Sequence, residues 1–328
     1  MASACALETS GTDDFQVVRR KKGKRQQKQL GSSQETSLNV IDDSHVDLES
    51  LKRRVNKCRD ELLVTEFYSN LLKTLERAVD SAKDSTHNDT TTEITSVAAV
   101  NSSTHKAETK PNIDRKSTNE HTPETSHGKS SLPKDARMLV YGLGNFASCV
   151  IARYQLALVL ALRQHWQVAT SKCEMYDPKF SELETGMLQD LGCSVLQQNE
   201  EGKRRMQGVT IVLMPHCGKA LFNNLLWANW SPRQLQQMVV MGNSFSNMVD
   251  SIPERLWKKH INYVSLISPH CTEEAVNNTF THTDIFNDLS VHWFPASRLL
   301  QLPAHTWSHA PQPVYDATDL EIIVNSSS

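Results

Sequence analysis

Residues 137–166 read RMLVYGLGNFASCVIARYQLALVLALRQHW. The apolar run Arg137 to Tyr141 stops at a turn, Gly142-Leu143-Gly144-Asn145-Phe146-Ala147. Cys149 to Trp166 is then Leu/Ala-rich and free of Gly and Pro, which predicts a largely buried helix. Strand, glycine turn and buried helix in that order open a parallel α/β sheet.

The alternation continues downstream. Cys173 to Asp177 predicts a strand stopped by Pro178. Ser181 to Leu191 predicts a helix whose Ser181 and Glu184 stand at capping-box spacing. Gly192 ends it, and Cys193 to Leu196 returns as a strand. Thr210 to Met214 and Met238 to Met241 are apolar strands of the doubly buried type. Between them, Lys219 to Trp230 is helical, and Ser231-Pro232 opens a further helix. Pro253 to His260 reads as helix, Asn262 to Ile267 as a strand, and Ser290 to Phe294 as a late edge strand. The expected fold class is α/β: a doubly wound, mostly parallel sheet, Rossmann-like, over about 134–310, with a tail at 311–328.

Upstream the chemistry changes. Residues 1–135 hold 3 of the 21 aromatics and 136–328 hold the other 18, so the core belongs to the second part. Residues 1–44 form an expected disordered arm. Within it Val17 to Lys28 (VVRRKKGKRQQK) carries seven basic residues and no acidic one. Such a run is a solvated arm, or alternatively a nuclear-import or phosphate-binding segment. Residues 45–80 repeat apolar positions at helical spacing, from Leu48, Leu51 and Val55 to Leu72, Leu75 and Val79. One amphipathic helix is expected there. It either docks on the α/β domain or forms a short coiled coil whose seam Thr65 weakens. The Ser/Thr-rich residues 81–133 read as a disordered linker.

The 35 basic and 37 acidic residues of the 328 nearly cancel, so direct nucleic-acid binding is not expected. No apolar run reaches membrane-spanning length, and the N-terminus lacks a signal-peptide pattern. A cytoplasmic location is expected, with the nucleus as the alternative if the basic run is an import signal. Seven cysteines then read as thiols.

Candidate site residues fall at the carboxyl ends of the strands, where open parallel sheets bind ligands. Gly142, Gly144 and Ala147 match G-x-G-x-x-A, which allows close approach of a nucleotide-like ligand. Asp177 ends the next strand, where an acid can take ribose hydroxyls. Asn243 and Ser244 follow a later strand and offer polar contacts. Met214-Pro215-His216-Cys217 and Ser268-Pro269-His270-Cys271 repeat a pattern. If their strands are neighbours, His216, Cys217, His270 and Cys271 gather as ligands for a metal or haem iron. Asp288 and His292 face the crevice or hydrogen-bond within the fold. A Cys217-His270-Asp284 nucleophilic triad can be assembled, but nothing in the sequence selects it.

Several of these residues resemble a known family. Tyr141-Gly142-Leu143-Gly144, Asp177-Pro178, Pro215-His216-Cys217, Gly242-Asn243-Ser244-Phe245, and Asn287-Asp288 with His292 and Phe294 resemble the sensitivity-to-red-light-reduced (SRR-like) family over about 137–295. Asp13-Asp14-Phe15-Gln16-Val17-Val18 resembles its animal members. The resemblance implies one SRR-like domain. It also implies control of circadian clock gene expression and, for animal members, regulation of haem biosynthesis. It carries no catalytic residue set. Two function classes follow. One is a regulator that binds a small ligand, haem or nucleotide-like, and acts through protein partners. The other is a nucleotide- or S-adenosylmethionine-dependent transferase using the same crevice. The first is preferred, because no acid–base or nucleophile set stands out.

Overall fold

The computed structural model describes residues 47–87 and 132–315. The basic run 17–28, the rest of the arm 1–44, most of the expected linker and residues 316–328 lie outside the described residues. Two N-terminal helices, α1 (Leu48–Leu63) and α2 (Glu66–His87), precede the sheet. There follow β1 (Arg137–Tyr141), α3 (Val150–His165), β2 (Cys173–Tyr176), α4 (Glu182–Asp190), β3 (Ser194–Val195), β4 (Thr210–Met214), α5 (Lys219–Ala228) and α6 (Pro232–Leu235). The chain continues with β5 (Met238–Asn243), α7 (Phe245–Asp250), α8 (Trp257–His260), α9 (Asn262–Ile267), β6 (Thr272–Ala275), β7 (Leu289–Trp293), α10 (Ala296–Leu299) and α11 (Ala304–Ser308).

The seven strands lie in the order β3-β2-β1-β4-β5-β7-β6. β1 to β5 pair in parallel, while β7 runs antiparallel to both β5 and β6. The sheet is therefore mixed but mostly parallel, and its central strands are buried on both faces. Alternation along each strand splits the core in two. Met138, Val140, Ile211, Leu213, Val239 and Met241 pack with α1 to α4. Leu139, Tyr141, Val212, Met214, Met238 and Val240 pack with α5, α7 and α9.

The helical segment expected over 45–80 is two helices, and the second reaches His87, into the expected linker. Thr65 makes the break. Its hydroxyl donates to the Leu62 carbonyl at 2.6 Å and accepts from the Tyr68 amide at 3.1 Å, capping α2 where the seam looked weak. The pair docks and does not form a separate coiled coil. α1 packs along α3, and α2 covers β5 and β7. Leu51, Leu62, Leu75 and Val79 are wholly buried as a result.

Three further expectations are corrected. Asn262–Ile267 is helix, not strand. Tyr263, Val264 and Ile267 face inward, and the buried Asn223 Oδ1 accepts the Tyr263 amide at 2.8 Å. The late strand is not at an edge, because polar Thr272–Ala275 lies outside it. The return after α4 is only two residues long. Among the described residues, no helix is long and apolar enough to cross a membrane.

Candidate functional site

The carboxyl ends of β1, β2 and β4 enclose a cavity of about 230 Å³. Tyr141 and Tyr176 are register partners on neighbouring parallel strands, so both point to the same sheet face at its wall. Gly142, Gly144, Asp177, Pro178, Lys179, Asn199, Gly202, Cys217 and Leu221 complete the lining. Burial raises the Tyr141 phenol, and the adjacent Glu200 carboxylate adds to that rise. Tyr141 donates to Glu200 Oε2 at 3.4 Å. Burial, then the Asp177 charge, raises Tyr176 as well.

Gly142 and Gly144 both adopt φ +74°, a conformation costly for any residue with a Cβ. Their roles differ. A Cβ on Gly142 would stand 2.3 Å from Cys217 Sγ, so this glycine lets the β1 and β4 loops meet. A Cβ on Gly144 would meet no atom within 4 Å, because that position opens onto the cavity.

Three amides of the glycine turn are bound by side chains of the protein. Gly144 N–H donates to Asp177 Oδ2 at 2.8 Å, while Asp177 Oδ1 accepts the Lys179 amide at 2.8 Å. Ala147 N–H donates to Glu184 Oε1 at 2.9 Å. Glu184 is wholly buried, and its other oxygen accepts the Ser181 amide, completing the capping box of α4. Ser148 N–H donates to Asn145 Oδ1, and the Arg153 guanidinium donates to the Phe146 and Ala147 carbonyls. α3 starts only at Val150, with no side-chain cap. Asp177 and Glu184 thus hold the turn in shape.

Of the sequence candidates, Gly142, Gly144, Asp177 and Cys217 line the cavity together. Ala147, Asn243 and Ser244 do not. Asn243 Nδ2 donates to the Cys217 carbonyl at 3.2 Å, and Ser244 caps α7 by accepting the Asn247 amide. His216 Nε2 lies 3.4 Å from the Ile285 carbonyl and has φ +55°. His270 and Cys271 follow helix α9, not a strand, which removes the symmetry suggested by the repeated pattern. Burial drives the Cys217 thiol far up, helped by the Asp177 charge. Burial and the Glu273 charge push Cys271 up to about 12. Among the described residues, no three His, Cys, Asp or Glu side chains form a group that could hold a metal ion.

His292 is wholly buried under the Phe245 ring, 3.8 Å away. Its Nδ1 lies 3.1 Å from the Val240 carbonyl, and its Nε2 lies 3.3 Å from the Phe245 amide nitrogen and 3.7 Å from Glu273 Oε2. Asp288 Oδ1 accepts from Asn247. Both brace the turn after β5 and stay outside the cavity lining. Sequence reading missed Tyr176, Lys179, Asn199, Gly202 and Leu221 as lining residues. A tyrosine ending each of two adjacent strands was the available signal for Tyr176. The loop residues carried none.

A family model for the SRR1 domain matches residues 109–293. The chain is 34% identical over 223 residues to an SRR1-like protein of Mus musculus, covering 68% of this chain and 82% of that protein. It is 30% identical over 163 residues to an SRR1-like protein of Drosophila melanogaster, covering 50% and 56%. The protein Sensitivity to Red Light Reduced 1 of Arabidopsis thaliana is 37% identical over 109 residues, covering 33% and 40%. No solved structure matches. More than half of the chain carries the SRR1 domain, and the chain belongs to the SRR1 domain family.

Proposed function

We propose that this regulatory SRR-like protein acts through a small ligand held at the carboxyl ends of β1, β2 and β4. Its output on clock gene expression and haem biosynthesis then passes through protein partners. The observation that carries the reading is the open cavity at Gly144, set beside the closed contact at Gly142. The strand order begins 3-2-1-4-5, as in doubly wound dinucleotide folds, and the cavity lies where chain direction across the sheet reverses between β1 and β4. At about 230 Å³ it sits below the ~300–1,000 Å³ usual for drug-sized ligands. It suits a ligand of nucleoside size or the buried half of a larger one.

Regulation is preferred to catalysis on the chemistry of the lining. Both Asp177 oxygens already accept amides, and burial keeps the Cys217 thiol and Tyr141 phenol protonated near neutrality. Haem control is assigned to partners, because Cys217 and Cys271 are buried thiols that donate to carbonyl oxygens. A transferase remains the second reading, favoured by Asp177 at the end of β2 inside the crevice.

Native mass spectrometry of the full chain tests the proposal. A retained small molecule that is lost from folded Gly144→Val supports it. Retention unchanged in that variant, or no molecule retained or bound from a metabolite mixture, overturns it.

A further inference from the structure

The geometry points to a nucleoside without phosphate as the ligand of this crevice, an inference that rests on the crevice being a ligand site. Phosphate-binding glycine turns offer free backbone N–H groups and the positive end of a helix. Here three of the turn's amides are occupied. Gly144 N–H is bound by Asp177, Ala147 N–H by Glu184, and Ser148 N–H by Asn145. Two of these acceptors are the carboxylates of Asp177 and Glu184, and Asp177 lines the cavity, so an entering phosphate would meet its negative charge. The start of α3 is delayed to Val150, beyond the turn, and no side chain caps it. Val150 is absent from the cavity lining, so the helix terminus does not present its amides there.

The same arrangement favours hydroxyls and flat rings. Each carboxylate oxygen accepts more than one hydrogen bond. Asp177 therefore retains acceptor capacity for ribose hydroxyls beyond the Gly144 and Lys179 amides. Tyr141 and Tyr176, side by side in register, line the cavity together with Leu221 and Pro178 and give a largely apolar slot for a base. Lys179 and Asn199 add polar contacts to the lining. A nucleoside bearing a neutral or cationic 5′ group, of the adenosyl sulfonium kind, meets these conditions. A nucleotide or dinucleotide would bring its phosphate against the Asp177 carboxylate.

Calorimetric titration of the full chain with adenosine, S-adenosylhomocysteine, AMP, ATP and NAD tests this. The expected result is measurable binding of adenosine or S-adenosylhomocysteine, with AMP at least about tenfold weaker than adenosine, since the phosphate adds charge beside a carboxylate. Asp177→Asn removes the charge while keeping an oxygen for the Gly144 amide, and should narrow the gap between adenosine and AMP. Tyr176→Ala should weaken both equally. AMP, ATP or NAD binding as tightly as the nucleosides overturns the inference and leaves the crevice standing as a site. An unchanged gap in folded Asp177→Asn also overturns it. No binding of any of the five at millimolar concentration removes the nucleoside. If the native mass spectra also show no Gly144-dependent molecule, the crevice reading falls with it.

Discussion

Gly142 and Gly144 share one backbone conformation, yet a methyl group would have different consequences at each. Gly142→Ala combines left-handed strain with a clash against Cys217 and should cost roughly 2–4 kcal/mol of stability. Gly144→Ala adds only the strain, about 1–2 kcal/mol. Urea unfolding of Gly142→Ala, Cys217→Ala and the double variant measures the clash directly. A double variant whose loss equals the sum of the singles would refute the contact. Glu273 sets a pH dependence. Burial works to raise its carboxyl, but His292, Ser244 and Ser246 hold it down at about 2, against 4.5 for the free group. A depressed carboxyl contributes stability that is fully present above pH 4.5 and lost as pH falls toward 2. Glu273→Gln should therefore flatten the acid limb of stability between those values, measured by unfolding midpoints across the range. An unchanged limb would exclude Glu273 as its source. The glycine turn and Asp177 were legible at this scale, because G-x-G after a strand and an acid after the next are local patterns. The bonds that make them a braced turn were not. Glu184 was read only as a cap of its own helix, and its bond to Ala147 spans 37 residues.

The α1–α2 pair is the element that changes the picture of the whole chain. It takes a place on one sheet face and buries Leu51, Val55, Leu62, Phe67, Leu71 and Leu75. Phe67 stacks on Phe286 at 4.7 Å between ring centres. Leu51→Ala or Leu75→Ala should each cost about 2–5 kcal/mol, read from denaturant midpoints. A fragment starting at residue 134 should aggregate or unfold without cooperativity, while one starting at 45 should not. A soluble, cooperatively folded 134–328 fragment would show that the helices are dispensable. Periodicity made this element legible, since its apolar positions recur at helical spacing. Thr65 misled, because a hydroxyl that weakens a seam is the same hydroxyl that caps a new helix. Asn262–Ile267 misled for another reason. Six residues with a buried side show too little periodicity to separate strand from helix. The polar Thr272–Ala275 offered no strand pattern at all, and only pairing with β7 defines it.

At the scale of the molecule, one residue ties three distant segments together. Asn223 on α5 accepts the Tyr263 amide of α9 and donates to the Tyr315 hydroxyl at 2.9 Å. The C-terminal segment is also fixed by Trp230 donating to Thr306 O, Trp227 to Ala310 O and Tyr263 to Pro311 O. These anchors run past position 310, where the α/β domain was expected to end. Asn223→Ala leaves a buried amide unpaired and should cost about 1–3 kcal/mol. Limited proteolysis should then cut first near 303–315. Cleavage elsewhere first would separate the segment from this anchor.

The packing of α2 on β5 and β7 has a consequence for how the polypeptide is made. The two helices leave the ribosome early, but the strands that cover α2 end at Trp293. Roughly 200 residues must follow His87 before that surface exists, on the order of 10–40 s at about 5–20 residues per second. For that interval the apolar stripe of α2 is a nascent-chain surface without its native cover, and a translation product that stops before β7 keeps it uncovered permanently.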